Sequence, residues 1–173
     1  MKRFIISFLI IVGIFYVSKD KIVIPKEAIR VRVIANSNSD YDQKIKKEVK
    51  DVVEDDLYDL LKDTYDLNKA RKDIKNNMPI LDNKITNILN DNAYKLGYQL
   101  NYGYNYFPEK EYKGIIYEEG MYESVVVTLG EGKGENWWCV MFPPFCLIEA
   151  HDNGTTDIEY RWLIKDLINK YFK

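Results

Sequence analysis

Histidine is nearly missing from this chain: His151 is the single one among 173 residues. With only two cysteines beside it, Cys139 and Cys146, a structural zinc site of four Cys or His ligands is excluded, and no metal or other cofactor is expected. The signatures of common enzymes are absent too. No G-x-S-x-G, H-E-x-x-H or G-x-x-x-x-G-K-[ST] pattern occurs. Glu109, Glu111, Glu118, Glu119 and Glu123 are carboxylates without a recognisable catalytic partner, and a Cys139–His151 dyad would need an exposed thiol where the strand pattern buries it. The expectation is a protein that is not an enzyme. Basic excess is lacking as well: the formal net charge is −2 and acid alternates with base throughout, which argues against nucleic acid. Repeats, low-complexity tracts and a Pro/Gly/Ser-rich linker are all missing, so one domain is expected from a composition 46% hydrophobic and 30% charged.

What is present begins with an uncharged, mostly apolar run from Phe4 to Val17, set between Lys2-Arg3 and Lys19-Asp20-Lys21. It is short for a spanning helix and reads as an export signal, although Tyr16-Val17-Ser18 makes a poor cleavage site. Residues 1–20 are thus expected to be a signal peptide or an N-terminal membrane anchor, with 21–173 an extracytoplasmic domain. If uncleaved, residues 4–17 hold the membrane.

Ile29-Arg30-Val31-Arg32-Val33-Ile34 alternates like a half-buried strand with its arginines toward solvent. Asn36-Ser37-Asn38-Ser39 breaks it, and Ser39 with Asp42 predicts the start of an amphipathic helix carrying Ile45, Val49, Val52, Val53, Leu57, Leu60 and Leu61. Leu67, Ala70, Ile74 and Met78 predict a second helix. Pro79 interrupts it and restarts a third, bearing Ile80, Leu81, Ile85, Ile88, Leu89 and Leu96 up to a Gly97 cap. Tyr98, Leu100, Tyr102, Tyr104 and Tyr106 then alternate with polar residues as a strand with one aromatic face. Packing under the helices is its expected use, and a stacking platform for sugars or bases is the alternative.

A short strand at Ile115–Tyr117 and a longer one at Met121–Leu129 lead to Gly130–Cys146, GEGKGENWWCVMFPPFC. Its alternate glycines suggest a hairpin tip joining Met121–Leu129 to Trp137–Phe142. With every residue from Trp137 to Phe142 apolar, both faces ask for cover, as in a mid-sheet strand that Pro143-Pro144 ends. Cys139 and Cys146 bracket those prolines, either as a disulfide or as two buried thiols. Asn153-Gly154 is a turn, within a triplet that also fits N-glycosylation. Thr156 and Glu159 cap a last helix with Ile158, Trp162, Ile164, Leu167, Ile168 and Tyr171. The fold class expected is α+β: a single domain in which a mostly antiparallel sheet is packed by consecutive amphipathic helices, behind the N-terminal signal or anchor.

Two blocks, IRVRVIANSNSDYDQ with Lys46 and Val49, and GEGKGENWWCVMFPPFC, resemble the stage II sporulation protein R family of endospore-forming bacteria, over about Pro25 to Ile148. The resemblance implies a signalling protein made in the forespore and exported to the space between forespore and mother cell, secreted or tethered. There it would activate a membrane-embedded aspartic protease that processes the mother-cell sigma factor precursor. The expected partner surface comprises Asn36, Ser37, Asn38 and Asp40 with Glu131, Lys133, Glu135, Asn136 and one of Trp137 and Trp138. A cell-envelope hydrolase or carbohydrate-binding module is the alternative. Oligomeric state is not fixed by these residues.

Overall fold

A computed structural model describes residues 22–113, 115–146 and 157–172. The apolar run 4–17, His151, the 153–155 triplet and Thr156 lie outside them. The element order is β1 (Ile22–Val23), β2 (Ile29–Ile34), α1 (Asp40–Leu61), α2 (Leu67–Asp91), β3 (Tyr98–Phe107), β4 (Lys110–Tyr112), β5 (Ile115–Tyr117), β6 (Gly120–Leu129), β7 (Asn136–Phe142) and α3 (Asp157–Tyr171). This is the α+β class. The strands form a four-stranded sheet ordered β3-β6-β2-β7 and a three-stranded sheet ordered β1-β5-β4. Both are mixed, since β2 runs parallel to β6 and β1 parallel to β5, while the other pairs are antiparallel. No helix among the described residues is long and apolar enough to cross a membrane.

Helices α1 and α2 lie on one face of the larger sheet. Ile45, Val49, Val53, Leu57 and Leu61 from α1 and Ala70, Ile74, Leu81, Ile85 and Leu89 from α2 close on Val31, Val33, Val125, Val127 and Leu129. Periodicity predicted this stripe closely. It did not predict that α2 is one continuous helix with Pro79 inside. A mid-helix proline costs about 3 kcal/mol through its missing N–H and its clash with the preceding turn. Burial of Ile74 on one side of it and Leu81 and Ile85 on the other, in one core, offsets that cost. The helix ends at Asp91 with Asn92 as cap, not at Gly97, and Ile80 and Leu96 are exposed.

Three further expectations are corrected on the sheet. Gly130–Glu135 is not a hairpin tip, because β2 lies between β6 and β7: Val31 pairs with Val125 on one side and Cys139 on the other. The Trp strand β7 is therefore an edge strand in the hydrogen-bonding direction, although Trp138 to Phe142 are buried. Its face alternation changes at an irregularity opposite Ile29/Arg30, which moves Phe142 into the helix-side core with Met141. The third correction concerns Arg30, which is 0% exposed rather than solvated.

A second layer covers that face. Ile24, Ala28, Phe107, Ile115, Tyr117, Tyr122, Trp138, Val140, Phe145, Tyr160 and Ile164 form a separate, largely aromatic core beneath the small sheet and α3. The Arg30 Cζ lies 3.4 Å from the Tyr122 ring centroid, 5.1 Å from Phe107, 5.2 Å from Trp138 and 5.9 Å from Tyr117. Among the described residues its three guanidinium nitrogens, all buried, have no hydrogen-bond partner. Burial lowers the guanidinium's pKa from its ordinary value, against the raising influence of Tyr122 and Tyr117. On α3, Tyr160 and Ile164 turn inward, whereas Trp162, expected on the inner face, is 75% exposed.

Candidate functional site

The strand–helix turn after β2 and the glycine loop before β7 form one structure. Asn36 accepts at Oδ1 from the Glu131 backbone N–H at 3.0 Å, and Asn38 accepts at Oδ1 from the Glu135 N–H at 2.6 Å. Backbone bonds lock the same contact: Lys133 N–H to Asn36 C=O at 3.0 Å, Gly134 N–H to Ala35 C=O at 2.9 Å, and Ala35 N–H to Glu135 C=O at 3.4 Å. The glycines have a different purpose from the one their spacing suggests. A Cβ on Gly134 would overlap the Ser37 carbonyl oxygen, and one on Gly130, whose φ is +52°, would overlap the Asn36 amide. They let the loop lie directly on the turn.

Below the contact sits Asp42, buried in the first turn of α1. Ser37 Oγ donates to its Oδ2 at 2.5 Å and Asn36 Nδ2 donates to the same oxygen at 2.9 Å, while the Asp42 N–H donates to the N-cap hydroxyl of Ser39 at 3.2 Å. These donors, Ser37 foremost and then Asn36, hold the Asp42 carboxyl below its ordinary range despite burial. Gln43 Nε2 donates to the Ser37 carbonyl at 2.9 Å, and Lys46 Nζ donates to the Glu135 carbonyl at 3.3 Å. Asn36 thus holds both the carboxylate and the loop. Asp42, Gln43 and Lys46 stood in the same sequence block, but only their contacts assign them this supporting role.

Each expected surface residue has a definite place. Asn36 and Ser37 are half-buried and engaged with Asp42, whereas Asn38, Asp40, Glu131, Lys133, Glu135 and Asn136 are exposed. Lys133 and Glu131 form an exposed ion pair of 2.5 Å. Trp138 is removed from the surface: it is buried against Phe107 and Tyr117, in edge contacts of 5.6 and 5.2 Å. Trp137 is half-buried on the helix side with the Lys50 ammonium 5.2 Å from its ring centroid. Neither ring is a free anchor. Leu96, exposed beside the turn, lines a shallow depression with Asn36, Ser37, Gly130, Glu131 and Lys133. Nothing in the helical pattern distinguished Leu96 from a core residue.

Cys139 and Cys146 are joined as a disulfide with Cα atoms 5.7 Å apart, closing the proline turn. Among the acids considered for catalysis, Glu123 is buried on the helix side of β6. It accepts from Arg71 Nε at 2.8 Å and from the Tyr102 hydroxyl at 2.6 Å. Burial first, and Glu123 second, raise the Tyr102 pKa well above its usual value, so this trio is a fixed ion pair with a protonated phenol. Among the described residues no group of three His, Cys, Asp or Glu could hold a metal ion.

The stage II sporulation protein R family model matches residues 25–152, a range that contains the turn, the loop and the disulfide. The chain is also 37% identical over 132 residues to the stage II sporulation protein R of Bacillus subtilis (strain 168). That match covers 74% of this chain and 57% of the Bacillus protein, so the chain spans little more than half of its relative's length. No solved structure matches.

Proposed function

From the premise that the chain belongs to the stage II sporulation protein R family, we propose that it is a non-catalytic signal of sporulation. In this reading it is exported from the forespore, secreted or tethered through residues 4–17, and activates a membrane-embedded aspartic protease that processes the mother-cell sigma factor precursor. The observation that carries the reading, given the family, is the turn–loop surface. A polar loop held to the strand–helix turn by five backbone or side-chain bonds keeps Glu131, Lys133, Glu135 and Asn136 in fixed positions. Preorganisation of this kind favours recognition, because little conformational freedom is lost on docking.

Activation requires differential affinity. A ligand that takes a receptor from one part in a hundred active to nearly all active must bind the active state about 10⁴-fold more tightly, a difference of about 5.5 kcal/mol. Exposed charges and the Leu96 depression are suited to such discrimination, since a shifted partner loop would leave Lys133 or Glu135 misplaced.

The test is co-expression of the full chain with the protease and a precursor reporter in a host that does not sporulate. Precursor cleavage is expected with the native chain and not with the triple variant Glu131→Ser, Lys133→Ser, Glu135→Ser, whose thermal midpoint should match the parent. Cleavage by the triple variant at the native rate would remove the loop from the reading. Degradation of cell-wall fragments by the purified chain alone would instead establish the envelope-hydrolase alternative.

A further inference from the structure

Strand β3, Tyr98–Phe107, is ten residues long and contains no charged residue and no proline. Its ladder with β6 runs without irregularity from Tyr98↔Leu129 to Phe107↔Gly120, and β3 is the last strand of its sheet. Among the described residues, no strand takes its other side. Natural edges are normally shortened, charged, bulged or broken by proline to prevent pairing with another chain, and this one has none of those protections.

The free bonding groups can be assigned. The Gly130 N–H donates to the Gly97 C=O at 2.9 Å, the step next to Tyr98↔Leu129. Antiparallel ladders alternate, so the odd-numbered residues of β3 exchange bonds with β6, and the N–H and C=O groups of Tyr98, Leu100, Tyr102, Tyr104 and Tyr106 point away from it. The Tyr106 C=O accepts from Arg32 Nη1 at 3.4 Å, and the others are left for a further strand. The side chains of these five residues also share one face. Beyond the cover of the helices, Tyr104 is 66% exposed, Tyr106 55%, and Met121, paired with Tyr106, 58%.

The sequence of this edge is close to a palindrome. About Tyr102, Y-Q-L-N-Y-G-Y-N-Y places aromatic or aliphatic at every even position and amide or glycine at every odd one, in both directions. We propose that β3 pairs antiparallel with β3 of a second copy, Tyr102 facing Tyr102 across a two-fold axis, giving one continuous eight-stranded sheet. In that register Tyr98 meets Tyr106 of the second copy, Leu100 meets Tyr104, Gln99 meets Asn105 and Asn101 meets Gly103. The outward-pointing residues fall opposite one another, giving about eight new backbone hydrogen bonds while the two Tyr106 carbonyls stay with Arg32. A two-fold contact sets each surface against itself, so the lack of charge along the strand matters: nothing is repelled. The exposed Tyr104 and Tyr106 rings gain Leu100 and Tyr98 of the second copy as neighbours. None of the residues that would meet across the two-fold axis belongs to the turn–loop surface.

The test is sedimentation velocity on the full chain, density-matched to its detergent. A dimer is expected, and Tyr104→Lys should weaken it about tenfold or more; at concentrations where both chains are monomeric their thermal midpoints should match, because the side chain is exposed. The register is read by oxidative cross-linking: Gln99→Cys with Asn105→Cys should give a covalent dimer, and Gln99→Cys alone should not. A monomeric native chain, a dimer untouched by Tyr104→Lys, or equal cross-linking by the single variant would each overturn the proposal.

Discussion

The two faces of the large sheet accommodate buried charge by opposite means. On the helix side, aliphatic residues dominate and the buried carboxylates are hydrogen-bonded: Asp42 by Ser37 and Asn36, Glu123 by Arg71 and Tyr102. On the other side the Arg30 guanidinium donates no hydrogen bond among the described residues and is enclosed by four aromatic rings. Removing a cation from water costs several kcal/mol, and each ring facing it contributes about 0.5–2 kcal/mol. Stacked π faces thus replace hydrogen bonds as the means of keeping a guanidinium inside. The difference teaches that an arginine in a strand need not mark a wet face.

The comparison breaks most severely on the aliphatic side. Leu57→Ala, in the middle of the helix-side core, should lower unfolding stability by about 2–5 kcal/mol in a denaturant titration. Arg30→Met should do the reverse. Exchanging an unbonded buried cation for an apolar chain of similar length is expected to leave stability unchanged or raise it by about 1–4 kcal/mol. A large loss there would mean that the aromatic enclosure outweighs desolvation. The smallest effect sharpens the contrast: Asp42→Asn should cost about 1–2 kcal/mol at neutral pH, because Ser37 and Asn36 lose a charged acceptor. Since the folded Asp42 pKa is depressed, its contribution is complete above the unfolded carboxyl's pKa near about 3.9 and is lost as pH falls through the lower folded value. Melting midpoints of parent and variant should therefore converge in acid.

How far the fold could be read from the sequence follows the range of the interactions. The Ser39 cap, the α1 stripe and the strands at β2, β3 and β6 depend on neighbours a few residues apart, and their patterns were legible. Pro79 misled because its cost is local while the burial that offsets it is tertiary. Arg30 misled because alternation tells which residues share a face and not whether another layer covers it. The glycine loop misled because three glycines before a strand suit a tight reversal as well as they suit a loop laid on the Asn36–Ser37 turn. Meeting of that turn and that loop depends on β2 entering between β6 and β7, a placement no short window contains.

That placement also sets an order of events for a newly made chain. Made before β6 and β7, strand β2 ends as an inner strand between those two later segments. Until those segments emerge, Val31 and Val33 have helices to collapse against and no ladder to join, so the closing of the sheet waits on long-range encounters and should be slow. A polypeptide arrested before Gly120 would hold α1 and α2 and still lack its native sheet.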